Sequence, residues 1–359
     1  MKVLIAPLDW GLGHATRCIP IIRYLLEKNC EVIIGADGRP LQLLQKEFPS
    51  CEFVLIRGYN ISYPTNRYMA LSMALQIPKI LSGIKREHEG LKKIIKEKKI
   101  NGVSSDNRFG LWSREVPCVF ITHQLMVKSP VGEKYIHRLN KNYISKYSEC
   151  WAPDIAGEDN LSGDLSHTFP LPKNVKYIGV LSRFKIPIDP HLQVGDKHNI
   201  LVLISGPEPQ RTLFEKKIVE QTYPLEKKVL IVQGIPEKNE RRKISENVEI
   251  VSYLVSEELQ KEIISSEIIL SRPGYSTVMD LAALGKKAIF VPTPGQTEQE
   301  YLAQYFSEKK IAYTVSQKKV DLETALKESK KYSGFTNKYS GEEFKKAVDE
   351  FLSSLRGTK

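Results

Sequence analysis

The sequence predicts an α/β fold made of two Rossmann-like halves, each a doubly wound parallel sheet. Three observations carry this. Short apolar runs (Val3 to Ala6, Glu31 to Gly35, Phe53 to Ile56) alternate with longer segments of helical period through the first half. The same alternation restarts at Ile200 to Ile204. Finally, the stretch SRPGYSTVMDLAALGKKAIFVPTPGQTEQEYLAQ (271–304) sets two strand-to-helix turns side by side. In an open α/β sheet such turns line the carboxyl edge, where helix N-termini offer N–H groups to phosphates.

At 359 residues and 41% apolar content the chain suits two ordinary domains of roughly 150 residues each. Met1-Lys2 runs straight into a strand, so no signal peptide is read. The longest apolar candidate, Tyr68 to Ile84, is broken by Pro78 and Lys79, short of the ~20 residues a bilayer span needs. The expected location is the cytoplasm. The cysteines (Cys18, Cys30, Cys51, Cys118, Cys150) lack C-x-x-C spacing and read as reduced structural thiols. A net charge of +11 leaves nucleic acid, an anionic membrane or an anionic substrate as partners. Its local sources are Lys85 to Lys99, with seven Lys/Arg against three Glu, and Lys128 to Lys146, with five against one. Neither cluster interleaves aromatics as a single-strand binder does, so nucleic acid is not expected. Solvated helix faces and attraction to an acidic bilayer or phosphate-bearing acceptor stay open.

Taken in order, Lys2 to Leu8 is the first strand and Asp9 to His14 the loop opening a helix to about Lys28. A strand at Glu31 to Gly35, a helix at Pro40 to Phe48 and a strand at Phe53 to Ile56 complete a βαβαβ rhythm. A loop with Tyr59, Tyr63 and Tyr68 leads to a long helical region, bent at Pro78 and ending near Lys98. Strand Gly102 to Ser105 ends in Asp106-Asn107-Arg108. A short helix is expected at Phe109 to Arg114, then strand Cys118 to Thr122 ending in His123, a helix from Glu133 to Ser148 and a strand near Cys150. From 157 to 199 the composition turns to Gly, Pro, Asp and Ser, with one strand-like insert at Lys176 to Leu181. The expected division is therefore 1–180, a linker at 181–198, a second domain at 199–340, and a tail at 341–359. In that second domain the turn Ser205 to Arg211 opens a helix to about Gln221, and strands follow at Lys228 to Val232 and Val248 to Val251. A helix at Ser256 to Ile264 leads to strand Ile268 to Leu270, a helix capped by Thr277, and strand Ala288 to Val291. The tail places Phe344, Ala347, Val348, Phe351, Leu352 and Leu355 on one helical face, so it must dock.

Gly11-x-Gly13 after a first strand invites a dinucleotide reading. It fails because Thr16 stands where the third glycine belongs and the acid after strand two is displaced to Asp37. What the pattern resembles is the family 28 glycosyltransferases of GT-B fold. Ser271-Arg272-x-Gly274-x-x-Thr277-Val278-x-Asp280, Ala282-Ala283-x-Gly285, Phe290-Val291-Pro292 and Gln299 track that family's donor-site pattern. GLGHATR (Gly11 to Arg17) resembles the G-x-G-H-x-x-R opening of a group of its relatives. The resemblance is specific over about a fifth of the chain. It implies two Rossmann-like domains facing across a cleft, the first binding the acceptor and the second the nucleotide-sugar, with the C-terminal helix returning to the first.

On that resemblance Asp280 would receive the ribose hydroxyls, although Thr277-x-x-Asp280 also reads as a capping box. Gly274, Tyr275, Ser276 and Thr277 would present the helix start to the diphosphate. Arg272 would meet the base edge or the phosphates, or pair with a surface acid. Glu298 and Gln299 would hold the donor sugar, against the plainer reading of a polar first turn. Gly13, Ser205 and Gly206 would approach the phosphates; Pro207 and Pro209 each remove an N–H there, and Arg211 could supply the missing positive charge.

His14 is the candidate base: an inverting transfer needs a group to take the acceptor hydroxyl's proton, and histidine titrates near neutrality. A turn-stabilising histidine is the alternative. Asp106 is its expected orienting partner, with Asp9 as competitor. His123 and Arg17 are candidates for the acceptor side. No Asp-x-Asp or ligand-spaced cluster is present, and the resemblance implies no metal or other cofactor beyond the UDP-sugar substrate. The expected activity is inverting transfer of a hexose or N-acetylhexosamine from a UDP-sugar to a hydroxyl acceptor, with a lipid-linked or cell-envelope glycan at the inner membrane face in view. A UDP-sugar epimerase on the same fold, and a non-catalytic nucleotide-sugar or nucleic-acid binder, remain as alternatives. Tyr68 to Ile84, with Met69, Leu71, Met73, Leu75, Ile77, Ile80 and Leu81, is the candidate membrane patch; ordinary core burial would explain the same residues.

Overall fold

The computed structural model describes residues 1–59, 76–126, 133–167, 170–186, 188, 198–336 and 339–356. Tyr63, Tyr68, Met69, Leu71, Met73, Leu75, Lys128 and most of the expected linker lie outside the described residues. The chain divides into two units, Met1–Arg183 with Ser340–Lys359, and Phe184–Tyr339.

In the first unit, β1 (Lys2–Pro7), α1 (Leu12–Glu27), β2 (Glu31–Ala36), α2 (Gly38–Glu47) and β3 (Glu52–Leu55) are followed by α3 (Ile77–Lys98) and β4 (Gly102–Asp106). Next come β5 (Cys118–Ile121), α4 (Glu133–Ile144), β6 (Glu149–Ala152) and β7 (Val175–Tyr177). The strands form one parallel sheet in the order β3-β2-β1-β4-β5-β6-β7. β1, β2 and β5 are near-continuous apolar runs, whereas the central β4 reads Gly-Val-Ser-Ser-Asp and is buried all the same. The order reverses between β1 and β4, where Pro7 pairs in register with Asp106. The carboxyl ends of these two strands therefore adjoin at the topological switch point.

The C-terminal helix, Glu342–Arg356, belongs to this unit. Phe351 meets Trp151 edge-on at 5.9 Å between ring centroids, and Tyr24 meets Phe344 at 6.1 Å. Gly102 lets the helix lie on the sheet, since a Cβ there would fall 2.7 Å from the Phe351 ring.

Two local expectations are corrected. Pro78 does not bend a helix; it sits at the start of α3, where its missing N–H has no helical acceptor to lose. The segment 109–114 forms no helix. Its backbone is tied by side chains instead: Ser105 Oγ and Tyr147 Oη donate to Arg108 O at 2.7 and 2.6 Å, and Gly110 N donates to Glu87 Oε2 at 3.2 Å.

The second unit contains β8 (Ile200–Leu203), α5 (Gln210–Thr222), β9 (Val229–Val232), β10 (Arg241–Lys243), β11 (Val248–Val251) and α6 (Ser256–Ser265). It continues with β12 (Ile268–Ser271), α7 (Tyr275–Ala283), β13 (Ala288–Phe290), α8 (Thr297–Glu308), β14 (Tyr313–Thr314) and α9 (Leu322–Ser329). The sheet order is β10-β11-β9-β8-β12-β13-β14, parallel except for β10 against β11. Its core joins Val202, Phe214, Ile231, Ile250, Leu270 and Ile289. Here the order reverses between β8 and β12, so the loops after these strands adjoin at the second unit's own switch point.

Candidate active site

At the first unit's edge, Gly11 is the N-cap of α1 with φ 110°, a conformation that suits glycine. It brings Gly13 and His14 into the first turn of that helix, beside the end of β4. His14 Nδ1 lies 2.6 Å from Asp106 Oδ1. Arg17, one turn further along α1, donates from Nε to Asp106 Oδ2 at 2.6 Å and from Nη2 to Oδ1 at 2.5 Å. Asp106 is fully buried, which by itself would raise its pKa; the Arg17 and His14 charges and hydrogen bonds outweigh burial and hold the carboxyl below its usual range. An ionised Asp106 only accepts, so His14 donates through Nδ1 and keeps its lone pair on Nε2.

Asp9 is not the partner of His14. Its carboxylate packs on Gly58, where a Cβ would fall 1.8 Å from Asp9 Oδ2, and its Oδ1 is buried without a hydrogen-bond partner. His123, just past β5 and 6% exposed, accepts from Arg17 Nη1 at its Nδ1, 2.7 Å away. Arg17 is therefore buried beneath both histidines, a place the acceptor-contact reading did not foresee.

At the second unit's edge, α7 begins at Tyr275 with Gly274 as N-cap, and Val278 N is the first N–H to bond back, to Gly274 O. The cap assigned to Thr277 is thereby corrected: Thr277 is the third residue of the helix, because the Pro273-Gly274 turn starts it earlier. The capping box with Asp280 goes with it. The N–H groups of Tyr275, Ser276 and Thr277 lie outside the helical ladder at the positive end of the dipole, and Asp280 follows in the next turn, 3% exposed. Ser205 is exposed after β8, and Gly206, with φ 112°, approaches Thr293, whose Oγ1 would lie 3.6 Å from a Cβ on that glycine. Glu298 is half-buried in the first turn of α8. Gln299, buried, accepts from Thr293 N through Oε1 at 2.8 Å and so shapes the loop after β13.

Both arginines expected near the donor have other employment. Arg211 is paired with Glu208 at 2.6 Å and Glu215 at 2.8 Å; burial works against its charge, and the two carboxylates more than restore it. Arg272 is fully buried, donating to Val291 O, Pro292 O, Gln210 O and Gln317 Oε1 and stacking on Phe214. Its Nε is buried without a hydrogen-bond partner, and among the described residues no acid pairs with it. Burial pulls its pKa down to about 9, still cationic at neutral pH.

Ser271 Oγ, in the donor-site pattern, and two groups that the sequence did not single out, Thr293 Oγ1 and Gln296 Oε1, are all buried without a hydrogen-bond partner. The available signal was Pro292-Thr293-Pro294, a hydroxyl between two residues without N–H. Among the described residues no group of three His, Cys, Asp or Glu is placed to hold a metal ion, and no helix is long and apolar enough to cross a membrane.

Residues 207–351 match the glycosyltransferase family 28 C-terminal domain. The chain is a glycosyltransferase that carries a family 28 C-terminal domain. An uncharacterized glycosyltransferase of Methanosarcina acetivorans is 24% identical over 340 residues, 86% of this chain and 84% of that protein. The UDP-N-acetylglucosamine–N-acetylmuramyl-(pentapeptide) pyrophosphoryl-undecaprenol N-acetylglucosamine transferase of Buchnera aphidicola is 24% identical over 306 residues, 81% of this chain and 77% of that protein. Among solved structures, the glycosyltransferase SnogD from Streptomyces nogalater is similar with a TM-score of 0.62 at 11% identity, covering 100% of this chain and 96% of its own. The UDP-GlcNAc 2-epimerase from Neisseria meningitidis aligns with a TM-score of 0.60 at 17% identity, covering 98% and 100%. At these identities the structures establish the fold: this glycosyltransferase is GT-B, two Rossmann-like units with parallel sheets.

Proposed function

We propose that the enzyme transfers a hexose or N-acetylhexosamine from a UDP-sugar to a hydroxyl acceptor with inversion and without a bound metal. The observation that carries the reading is the 2.6 Å pair of His14 and the buried Asp106 at the first unit's switch point. Asp106 holds the ring so that Nε2 takes the acceptor proton. The acceptor oxygen then bonds to the anomeric carbon as the bond from that carbon to the diphosphate oxygen breaks, its electron pair leaving with UDP. The second unit supplies the donor contacts: the α7 start at Gly274 to Thr277 for the diphosphate, Asp280 for the ribose, Ser205 and Gly206 alongside, and Glu298 and Gln299 at the sugar. Helix-start N–H groups provide the stabilisation of developing negative charge that a cation would otherwise give. The test is UDP release with a glycosylated product. His14→Ala is expected to lower turnover by about 10²–10⁴-fold with UDP binding intact; normal turnover in that variant would overturn the mechanism.

The acceptor is read as a lipid-linked or cell-envelope glycan met at the inner face of the membrane. Ile77 and Leu81 of α3 and Tyr135 of α4 are exposed, and Lys79, Lys85, Arg86, Lys134 and Arg138 surround them in sequence. A basic residue near an anionic surface contributes about 1 kcal/mol, which favours a peripheral, salt-sensitive contact. Absence of co-sedimentation with anionic vesicles would remove this part and leave the transferase. The epimerase likeness in fold favours one second reading, decided by incubating UDP-sugars without acceptor: interconversion of donors would replace the transferase reading.

A further inference from the structure

One guanidinium serves both histidines of the first unit. Arg17 is 2% exposed and forks Asp106 through Nε and Nη2, while Nη1 donates to His123 Nδ1 at 2.7 Å. An arginine only donates, so His123 Nδ1 is an acceptor and that ring's proton sits on Nε2. His14 has the reverse arrangement, since ionised Asp106 only accepts and lies 2.6 Å from Nδ1. Arg17 Nη2 also lies 2.9 Å from His14 Nδ1. Both nitrogens carry protons, so that approach places a positive charge beside the ring and makes no hydrogen bond.

We infer that Arg17 is a positioning residue that holds His123 with its proton on Nε2, orients the Asp106 carboxylate that holds His14 with its proton on Nδ1, and offsets the charge of Asp106 as His14 experiences it. This rests on the reading of His14 as the base. The charged and titratable groups of this cluster are Asp106 at the end of β4 and Arg17 on α1, which meet His14, Cys18 against Asp106, and His123 against Arg17, while Asp9 after β1 packs on Gly58. Of these, Asp106 and Arg17 touch His14 directly with opposite sign, so the acid limb of the rate profile belongs to the pair. The arrangement explains why an arginine is sealed under a helix start, where a residue meant to bind acceptor would be exposed.

Two measurements on the full chain test this. Long-range ¹H–¹⁵N spectra of the histidines at neutral pH, assigned with His14→Ala and His123→Ala, are expected to show the proton on Nδ1 in His14 and on Nε2 in His123. The same tautomer in both rings would overturn the inference, and this readout needs no activity. In kcat/KM against pH, Asp106→Asn is expected to move the acid limb down by about one pH unit, because the cation then acts alone. Adding Arg17→Gln should bring the limb back towards the wild-type position. The double variant buries no unpaired charge, whereas Asp106→Asn alone leaves the Arg17 guanidinium and Arg17→Gln alone the Asp106 carboxylate unpaired, so the single variant's profile is read only where its folded spectrum matches the wild type. A double variant that keeps the Asp106→Asn limb would show that Arg17 acts through structure only. If the wild-type enzyme released no UDP, the transferase reading would fail while the spectra still decided the role of Arg17.

Discussion

The two carboxyl edges use their charges in opposite ways. In the first unit Asp106, Arg17, His14 and His123 interlock, each histidine engaged through Nδ1. In the second unit Arg211 and Arg272 are built into the scaffold, and the edge carries neutral groups: the start of α7 and the buried hydroxyls of Ser271 and Thr293. On the proposed mechanism the difference follows from the tasks. Moving a proton requires a group whose proton affinity is fixed in advance by neighbours that cannot rearrange. Holding a nucleotide that must later leave is better served by dipoles, which attract a diphosphate without the affinity of buried charge pairs.

His14→Ala separates the two edges most directly. It should lose turnover by about 10²–10⁴-fold while UDP titrated calorimetrically binds as before. A loss of UDP affinity would show that the first unit's edge holds the donor too. The next effect should come from Arg272→Met, which leaves buried carbonyls at Val291, Pro292 and Gln210 without their donor. Each such orphan costs about 1 kcal/mol or more, so a total near 3 kcal/mol is expected in urea unfolding followed by near-ultraviolet tyrosine signals. Unchanged stability with lost UDP binding would restore Arg272 to the donor.

Acid should separate the units. Asp106 and Asp154 are both buried with carboxyls held below the usual range: burial opposes this, and Arg17 with His14, or His167 with the Ser162, Leu161 and Ile155 groups, prevails. Because their folded pKa values are depressed, they contribute stability that is fully present above the unfolded value of about 3.9 and is lost as pH falls through the folded values. Glu87 works the other way, since burial raises its carboxyl, and it offsets part of the loss. In the second unit the depressed carboxyls of Glu208, Glu249 and Asp321 are more exposed and screened by solvent. The first unit should therefore unfold first below about pH 4. Trp10, Trp112 and Trp151 all lie in it, so tryptophan fluorescence reports that transition alone. A tyrosine transition preceding the tryptophan one would reverse the assignment.

Much of this was legible in the sequence, and the exceptions have physical causes. Parallel strands buried on both faces appear as apolar runs, so Val3 to Ala6 or Ile268 to Leu270 could be read directly. His14 was marked by its glycines and Asp106 by its place at a strand end. Their contact depends on the β1–β4 register, which no local pattern encodes. Arg17 was partly readable: three residues after His14, it shares a face of α1 and can reach the same carboxylate. Arg272 misled because an arginine in a polar motif suggests a ligand, whereas the carbonyls that hold it come from a loop twenty residues on. The helix expected at 109–114 was lost to tertiary ties from Ser105, Glu87 and Tyr147, which outweigh local propensity.

The smallest expected effect tests the second edge most sharply. Ser271 Oγ and Thr293 Oγ1 are buried without partners, so each carries a desolvation cost that no native hydrogen bond repays. Ser271→Ala and Thr293→Val, the latter keeping the branched shape, remove those oxygens while breaking no bond in the protein. Stability should stay constant or rise by up to about 1 kcal/mol. If these hydroxyls meet the bound nucleotide-sugar, each variant should weaken UDP binding by about fivefold, close to one ordinary hydrogen bond. Stability and affinity then move in opposite directions, a pattern that damaged packing cannot produce because it lowers both. UDP affinity unchanged in both variants would exclude these hydroxyls from the donor edge and leave the α7 start and Asp280 to hold the nucleotide.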